Sequence, residues 1–451
     1  MPDTPNLPVL VIGAGPQGLA AAAHLLERGL DPLVLEAGPG PAHAVSQWAH
    51  VRLFSGWTEL VDPAAARLLE PTGWSAPTDG YPTGGEWIEA YLAPLAAALG
   101  DHVRYGLRVT GVSRRGRDRL VDAGRENEPF SVHVVDGERR ESKLDARAVI
   151  DASGTWTSPN PGGADGLPAL GEHAAAEAGV VTYLPPTFAD ADALAGRHTV
   201  IVGSGHSAMT AVIQLGAVAE ANPGTRVSWV LRRGTGGVSF GGGPADQLPQ
   251  RGALGLGAKA AVDRGFVELV TGFRTDHFDL ADARAILVAE DGRALPPADR
   301  VVVLTGFRPD LTFLTEVRLD LDPVLQAPAR LAPDIDPNLH SCGSVMPHGA
   351  AVLAQPEKDL YLVGMKSYGR APTFLAMTGY EQVRSIAAEL AGDHEAAAAT
   401  ELVLPDTGVC GGAGLFDETA SADGCATDSG GGCCGPAAAG PQPVALALNA
   451  R

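Results

Sequence analysis

The chain has 451 residues, of which 45% are hydrophobic and 5% aromatic, so it is long enough for two or three globular domains. A formal net charge of −20 argues against nucleic-acid and anionic-membrane partners. No run of eighteen apolar residues occurs, and the first eight residues lack the basic segment of a signal peptide, so a cytoplasmic location is the expectation.

Pro8 to Gly15 reads as a buried strand entering a glycine turn, Pro16 to Arg28 as a helix stopped by Gly29, and Leu33 to Glu36 as a second strand. The turn is Gly13-Ala14-Gly15-Pro16-Gln17-Gly18, and an acid, Glu36, follows the last glycine by 18 residues. Each residue type has a task in holding a dinucleotide. Gly13 makes the tight turn, Gly15 lets a pyrophosphate approach the backbone, and Gly18 lets helix and strand pack closely. The helix N-terminus offers free N–H groups, and Glu36 accepts from a ribose hydroxyl.

The stretch from Gly38 to Pro82 reads as loop-rich and carries Trp48, Trp57 and Trp74. An amphipathic helix is expected from Gly84 to Leu99, and a β-meander from about Val103 to Asp151. Ser153 to Gly171 is rich in Pro and Gly and reads as a hinge.

The strand–turn–helix pattern then repeats: a strand over His198 to Val202, the turn Gly203-Ser204-Gly205-His206-Ser207-Ala208, a helix over Ser207 to Glu220 and a strand over Arg226 to Leu231. Arg232 and Arg233 stand where the first unit has its acid. A guanidinium grips a 2′-phosphate that a carboxylate would repel, so this site is expected to prefer NADPH to NADH. His206 reads as a loop residue near phosphate. Two such turns about 190 residues apart suit a flavin and a nicotinamide together: FAD at the first and NADPH at the second. Further strands are expected at Ala285 to Val288, Arg300 to Leu304 and Leu360 to Val363, with a helix from about Thr373 to Leu390. Asp276 to Asp282 reads as a solvated face.

On these motifs the chain, from about Pro8 to Leu390, resembles the two-dinucleotide-binding flavoproteins, and within them the flavin-containing monooxygenases. Ala152-Ser153-Gly154-Thr155-Trp156-Thr157-Ser158-Pro159 is similar to the first domain crossover of that branch, and Thr305-Gly306-Phe307-Arg308-Pro309 to its second. Leu360 to Gly364 resembles the late strand that contacts FAD, and Trp48 and Trp57 stand where the family covers the flavin. The family places Asp after that glycine, against the ribityl chain. Here Met365 follows Gly364, so the contact must be made differently. The segments Trp48 to Trp57 and Gly364 to Ser385 look most like the arsenic-operon flavin-binding monooxygenases. Leu170-Gly171-Glu172-His173 does not fit the Baeyer–Villiger fingerprint, so ketone oxygenation is not expected.

The resemblance implies an α/β fold of two Rossmann-like domains. An FAD domain in two segments (1–160 and 311–395) holds an NADPH domain (161–310), with small β-meander additions and a low-complexity tail (396–451) that is disordered when free. The implied chemistry is oxygenation of a small-molecule soft nucleophile (sulfur, nitrogen or trivalent arsenic) by molecular oxygen through a peroxyflavin. No side chain is assigned as catalytic.

Cys342 is the single cysteine before residue 405, so the paired cysteines of a flavin-adjacent disulfide are missing. The others, Cys410, Cys425, Cys433 and Cys434, fall in the tail, and the vicinal pair resembles the one that mercuric-ion reductases carry near their C-terminus. These thiols suit a thiophilic metal or metalloid. They leave open an NADPH-dependent reductase of a thiol-bound metal or metalloid as an alternative; a second alternative, not drawn from these thiols, is a flavin redox sensor. An inert low-complexity tail is the plainer reading of the same residues.

Overall fold

The computed structural model describes residues 7–234, 240, 246, 248–339, 347–372 and 374–402. In chain order, the first part supplies β1 (Val9–Ile12), helix α1 (Pro16–Glu27), β2 (Pro32–Leu35), β3 (Val103–Arg104), β4 (Arg108–Arg114), β5 (Phe130–Val135), β6 (Glu141–Ala146) and β7 (Ala148–Asp151). The inserted part supplies β8 (Val181–Thr182), β9 (His198–Val202), α2 (His206–Ala221), β10 (Arg226–Val230), α3 (Pro249–Asp263), β11 (Glu268–Val270), β12 (Thr275–Ala281), β13 (Arg284–Ala289) and β14 (Arg300–Val303). The chain then returns through β15 (Leu360–Leu362), α4 (Ala376–Leu390) and α5 (His394–Ala398).

Two five-stranded parallel sheets result, one in the order β15-β7-β1-β2-β3 and the other β11-β10-β9-β14-β8. The central strands are continuous apolar runs because helices and loops cover both faces. Val9 to Ile12 and Ala148 to Asp151 are buried throughout. Register aligns the carboxyl ends. Ile12 pairs with both Leu35 and Asp151, and Val202 pairs with both Val230 and Val303. Each sheet therefore presents its glycine turn at the carboxyl end of its middle strand, where open α/β sheets bind ligands.

Several elements differ from expectation. The 38–82 stretch contains three α-helices, His43–Ser46, Trp57–Leu60 and Pro63–Leu69. Trp57 anchors one of them in the core, a tertiary contact without periodic signal. The 84–99 helix contains a π-turn at Ile88–Leu92. Pro94 cannot donate to the Ala90 carbonyl, and the Trp74 indole N–H does so instead at 2.7 Å. The acidic 276–282 stretch is largely a strand: β12 pairs with β13, and its aspartates point to solvent while Phe278 is buried. Helix α3 carried no signal in the sequence, because its three glycines dilute the pattern.

The assignment of everything after residue 395 to the tail is corrected. Arg384 donates to the carbonyls of Ala396 and Ala399, and Ser385 Oγ to that of Ala397, so the chain stays docked beyond α5. Residues 403–451 lie outside the described residues. Among the described residues no helix is long and apolar enough to cross a membrane.

Candidate functional site

The first glycine turn joins β1 to α1. Gly13 has φ +99°, and a Cβ there would meet the Ala152 carbonyl oxygen at 2.9 Å. A Cβ on Gly18 would lie 1.8 Å from the Gly13 carbonyl oxygen. The protein's own packing therefore demands both glycines. Gly15 is different: its backbone is extended, and no atom lies within 4 Å of a built Cβ. It faces open space over the N-terminus of α1, which has no side-chain cap and no acid in its first turn. Unsatisfied N–H groups at a positive dipole end favour an anion. Glu36 accepts from the backbone N–H of Ala14 at 2.8 Å and of Gly38 at 2.7 Å, so its carboxylate fixes this turn.

The second turn repeats the geometry. Gly203 has φ +132°, and a Cβ on it would lie 2.2 Å from the Leu304 carbonyl oxygen. Gly205 caps α2 with nothing within 4 Å of a built Cβ. Ala208 replaces the third glycine and is wholly buried. After β10, Arg232 donates to the Ala164 carbonyl at 2.7 Å. The half-buried Arg233 has its guanidinium pushed below its ordinary value by burial and by the neighbouring charge of Arg232. Two cations held side by side suit a multiply charged anion.

His206 is the first residue of α2 rather than a loop residue, and its ring meets Phe54 edge-on at 4.8 Å. This contact brings the second glycine turn against the 48–57 loop of the first domain. Beside it, Trp156 of the first crossover stacks on Phe307 of the second at 4.7 Å and 28°, with Trp48 6.5 Å from Trp156. The Trp156 indole donates to Gln47 Oε1 at 2.6 Å. The junction is thus walled by half-exposed aromatic rings.

The late segment turns at Gly364, φ +66°, after β15. Its N–H donates to Gln382 Oε1 at 2.7 Å. Lys366 is fully buried, 2.6 Å from Asp151 Oδ2, and donates to Ser153 Oγ at 2.9 Å. Asp151, Lys366, Gln382 and Gln17 carry the polar lining of this end of the sheet, and sequence reading missed all four. A signal existed for the ion pair, in opposite charges closing or following two otherwise apolar strands. Glu172, within the stretch that fails the Baeyer–Villiger pattern, is buried and accepts from the N–H groups of Gly162 and Ala169 and from Tyr183 Oη. It ties down the crossover loop.

Cys342, Cys410, Cys425, Cys433 and Cys434 all lie outside the described residues, so the expected metal or metalloid site has no geometry here. Among the described residues no group of His, Cys, Asp and Glu is placed to hold a metal.

Residues 10–329 match the family model described as pyridine nucleotide-disulphide oxidoreductase. The chain is 32% identical over 166 residues to digeranylgeranylglycerophospholipid reductase of Methanosarcina acetivorans, covering 32% of this chain and 40% of that protein. It is 30% identical over 207 residues to an indole-3-pyruvate monooxygenase of Oryza sativa subsp. japonica, covering 46% of this chain and 44% of that protein. The matches therefore span less than half the length of these curated relatives. Among solved structures, bacillithiol disulfide reductase from Bacillus cereus superposes with TM-score 0.64 at 20% identity, over 86% of this chain and 99% of that one. A flavin monooxygenase mutant from Stenotrophomonas maltophilia does so with TM-score 0.57 at 23% identity, over 86% and 98%. These likenesses establish the fold.

Proposed function

The chain belongs to the pyridine nucleotide-disulphide oxidoreductase family of FAD- and NAD(P)H-dependent enzymes, and on that premise we propose that it is an NADPH-consuming flavin monooxygenase. The observation that carries the proposal is the contact of Phe54 with His206, which sets the second glycine turn against the 48–57 loop of the first domain at an aromatic-walled junction. A flavin held at the first cradle and a nicotinamide at the second would then meet at that junction.

In this reading the N-terminus of α1, with Gly15, holds the pyrophosphate of FAD, and Glu36 its ribose. Gly205 and the N-terminus of α2 hold the pyrophosphate of NADPH, and Arg232 and Arg233 its 2′-phosphate. Gly364 lies against the flavin end, and Trp48, Trp156 and Phe307 keep water from the junction. The bound flavin supplies the electron transfer from NADPH to oxygen. The net reaction converts NADPH, a proton, dioxygen and substrate into NADP⁺, water and oxygenated substrate.

Two features favour oxygen over a disulfide as acceptor. The sequence has no cysteine pair before residue 405, and an indole-3-pyruvate monooxygenase is among the relatives. The segments around Trp48 and Lys366 support a soft nucleophile, with trivalent arsenic among the candidates, as in the arsenic-operon branch. The test is NADPH oxidation with ¹⁸O₂ and, as probes, a thioether, a tertiary amine and arsenite. One labelled oxygen in a product is expected. Turnover that needs a disulfide and consumes no oxygen would overturn the reading.

A further inference from the structure

Gln382 of α4 is fully buried and holds the turn that follows β15. Its Oε1 accepts from the Gly364 N–H at 2.7 Å, and its Nε2 lies 2.9 Å from Ser367 Oγ and 2.8 Å from Nε2 of the buried His348. Ser367 Oγ donates to the Gly364 carbonyl at 2.8 Å, so both backbone groups of Gly364 are held. The turn leans on the first glycine turn. A Cβ on Gly364 would lie 2.8 Å from Cγ of Gln17, the second residue of α1. Gln17 Nε2 also donates to the Ala376 carbonyl at 3.0 Å, at the start of α4, and a Cβ on Gly379 would lie 2.4 Å from Gln17 Cδ. The N-terminus of α1, the Gly364 turn and α4 therefore form one packed unit.

These hydrogen bonds fix a protonation state. A backbone N–H only donates, so the atom of Gln382 facing Gly364 is Oε1 and the other is the N–H₂ group. The Gly364 carbonyl only accepts, so the Ser367 hydroxyl gives it its one proton and takes one N–H of Gln382 on a lone pair. The other N–H of Gln382 faces His348 Nε2, which must accept and so carries no proton. An imidazolium donates from both nitrogens and would set N–H against N–H₂. Flipping the amide gives no way out, because it would set N–H₂ against the Gly364 N–H. The titratable groups on the described elements packed there are accounted for. Tyr368 lies 5.7 Å from the ring, its phenol held well above its ordinary value by burial and by the charge of Asp334. Burial likewise raises Tyr361 on β15. On α4, Arg384 is bidentate to Glu381; on α5, His394 pairs with Glu389, and Glu395 is exposed.

We propose that Gln382 and His348 position the Gly364 turn for FAD, and that His348 does so only while neutral, so that acid loosens the hold on the flavin. The inference rests on the assignment of FAD to the first cradle. Its sign follows from the ring: the hold is complete above the ordinary imidazole value, about 6.5, and weakens as pH falls. Flavin-free protein is titrated with FAD at about pH 8 and about pH 5, on either side of that value, followed by quenching of flavin fluorescence. Wild type should lose about 10-fold in affinity between the two. His348→Gln, whose carboxamide oxygen accepts from Gln382 and does not titrate, should keep one affinity at both. Gln382→Glu, whose carboxylate accepts from a protonated ring, should gain affinity on acidification, and it carries the test if His348→Gln does not fold. An equal loss in wild type and either variant would overturn the proposal, as would a wild type indifferent to pH. Failure of the wild type to bind FAD at either pH would instead refute the assignment of the first cradle. The ¹⁵N spectrum of histidine-labelled protein then still tests the role of His348, since a proton on its Nε2 above the imidazole range would overturn it.

Discussion

Arg308 Nε donates to Asn160 Oδ1 at 2.7 Å, joining the two chain segments that cross between the domains. Asn160 Nδ2 donates in turn to the Thr305 carbonyl at 3.2 Å, and backbone bonds link Asn160 to Gly306 and Arg308 to Ser158. The two crossovers form one paired strap. Asn160→Ala removes both side-chain bonds and should cost about 1–3 kcal/mol. Urea unfolding measures the loss, and limited proteolysis should show new cleavage within 152–160 or 305–310. An unchanged unfolding midpoint would refute this role.

Glu357 sits between Arg114 (2.7 Å) and Arg125 (2.7 Å), all three buried, and ties the β4–β6 sheet to the return segment. Burial raises its carboxyl pKa, but the donations from Arg125, Arg114 and the Arg318 N–H hold it below its ordinary value. A depressed carboxylate contributes stability above the unfolded pKa and loses it as pH falls through the folded one. Glu357→Gln should cost about 3–5 kcal/mol at pH 7, because two guanidinium groups lose their partner. The gap to wild type should narrow once pH drops below about 4.3. Chemical denaturation at pH 7 and pH 4 checks both the size and the sign.

Gly15 and Gly18 should respond oppositely to a side chain. Gly15→Leu puts its Cβ where no protein atom lies within 4 Å, so the flavin-free protein should keep its melting temperature while losing FAD affinity by 100-fold or more, on the order of 3 kcal/mol. Gly18→Leu drives into the Gly13 carbonyl and should fail to fold. Thermal melts with and without FAD separate the two. A Gly15→Leu protein that stays fully yellow would sink the cradle.

NADPH should be preferred over NADH through Arg232 and Arg233. Replacing either arginine by Ala should lower kcat/KM for NADPH by about 10- to 150-fold, or about 1.5–3 kcal/mol, with little change for NADH. Equal values for the two nucleotides in the wild type would end this assignment.

Removing 403–451 should leave the unfolding temperature unchanged. Removing 393–451 should lower it, because the Arg384 and Ser385 bonds to 396–399 are lost. Arsenite binding by the full chain and by the shorter truncation, measured beside thiol titration, decides whether Cys410, Cys425, Cys433 and Cys434 hold a soft ion. Equal binding would leave the tail cysteines without that role.

The sequence by itself determined the two strand–turn–helix units, their order and the residue types at each turn. Those features are local: a buried parallel strand is a continuous apolar run, and a tight turn leaves glycine at fixed spacing. Only the tertiary structure decided what surrounds Gln17, because Gly364, Ala376 and Gly379 are more than 340 residues away along the chain. The same holds for Asp151 with Lys366 and for Phe54 with His206, pairs that the chain's return to the first sheet and the placement of its inserted domain bring together. A partner contributed by a distant segment leaves no period or spacing at either end, so its chemistry became visible only when the sheets were assembled.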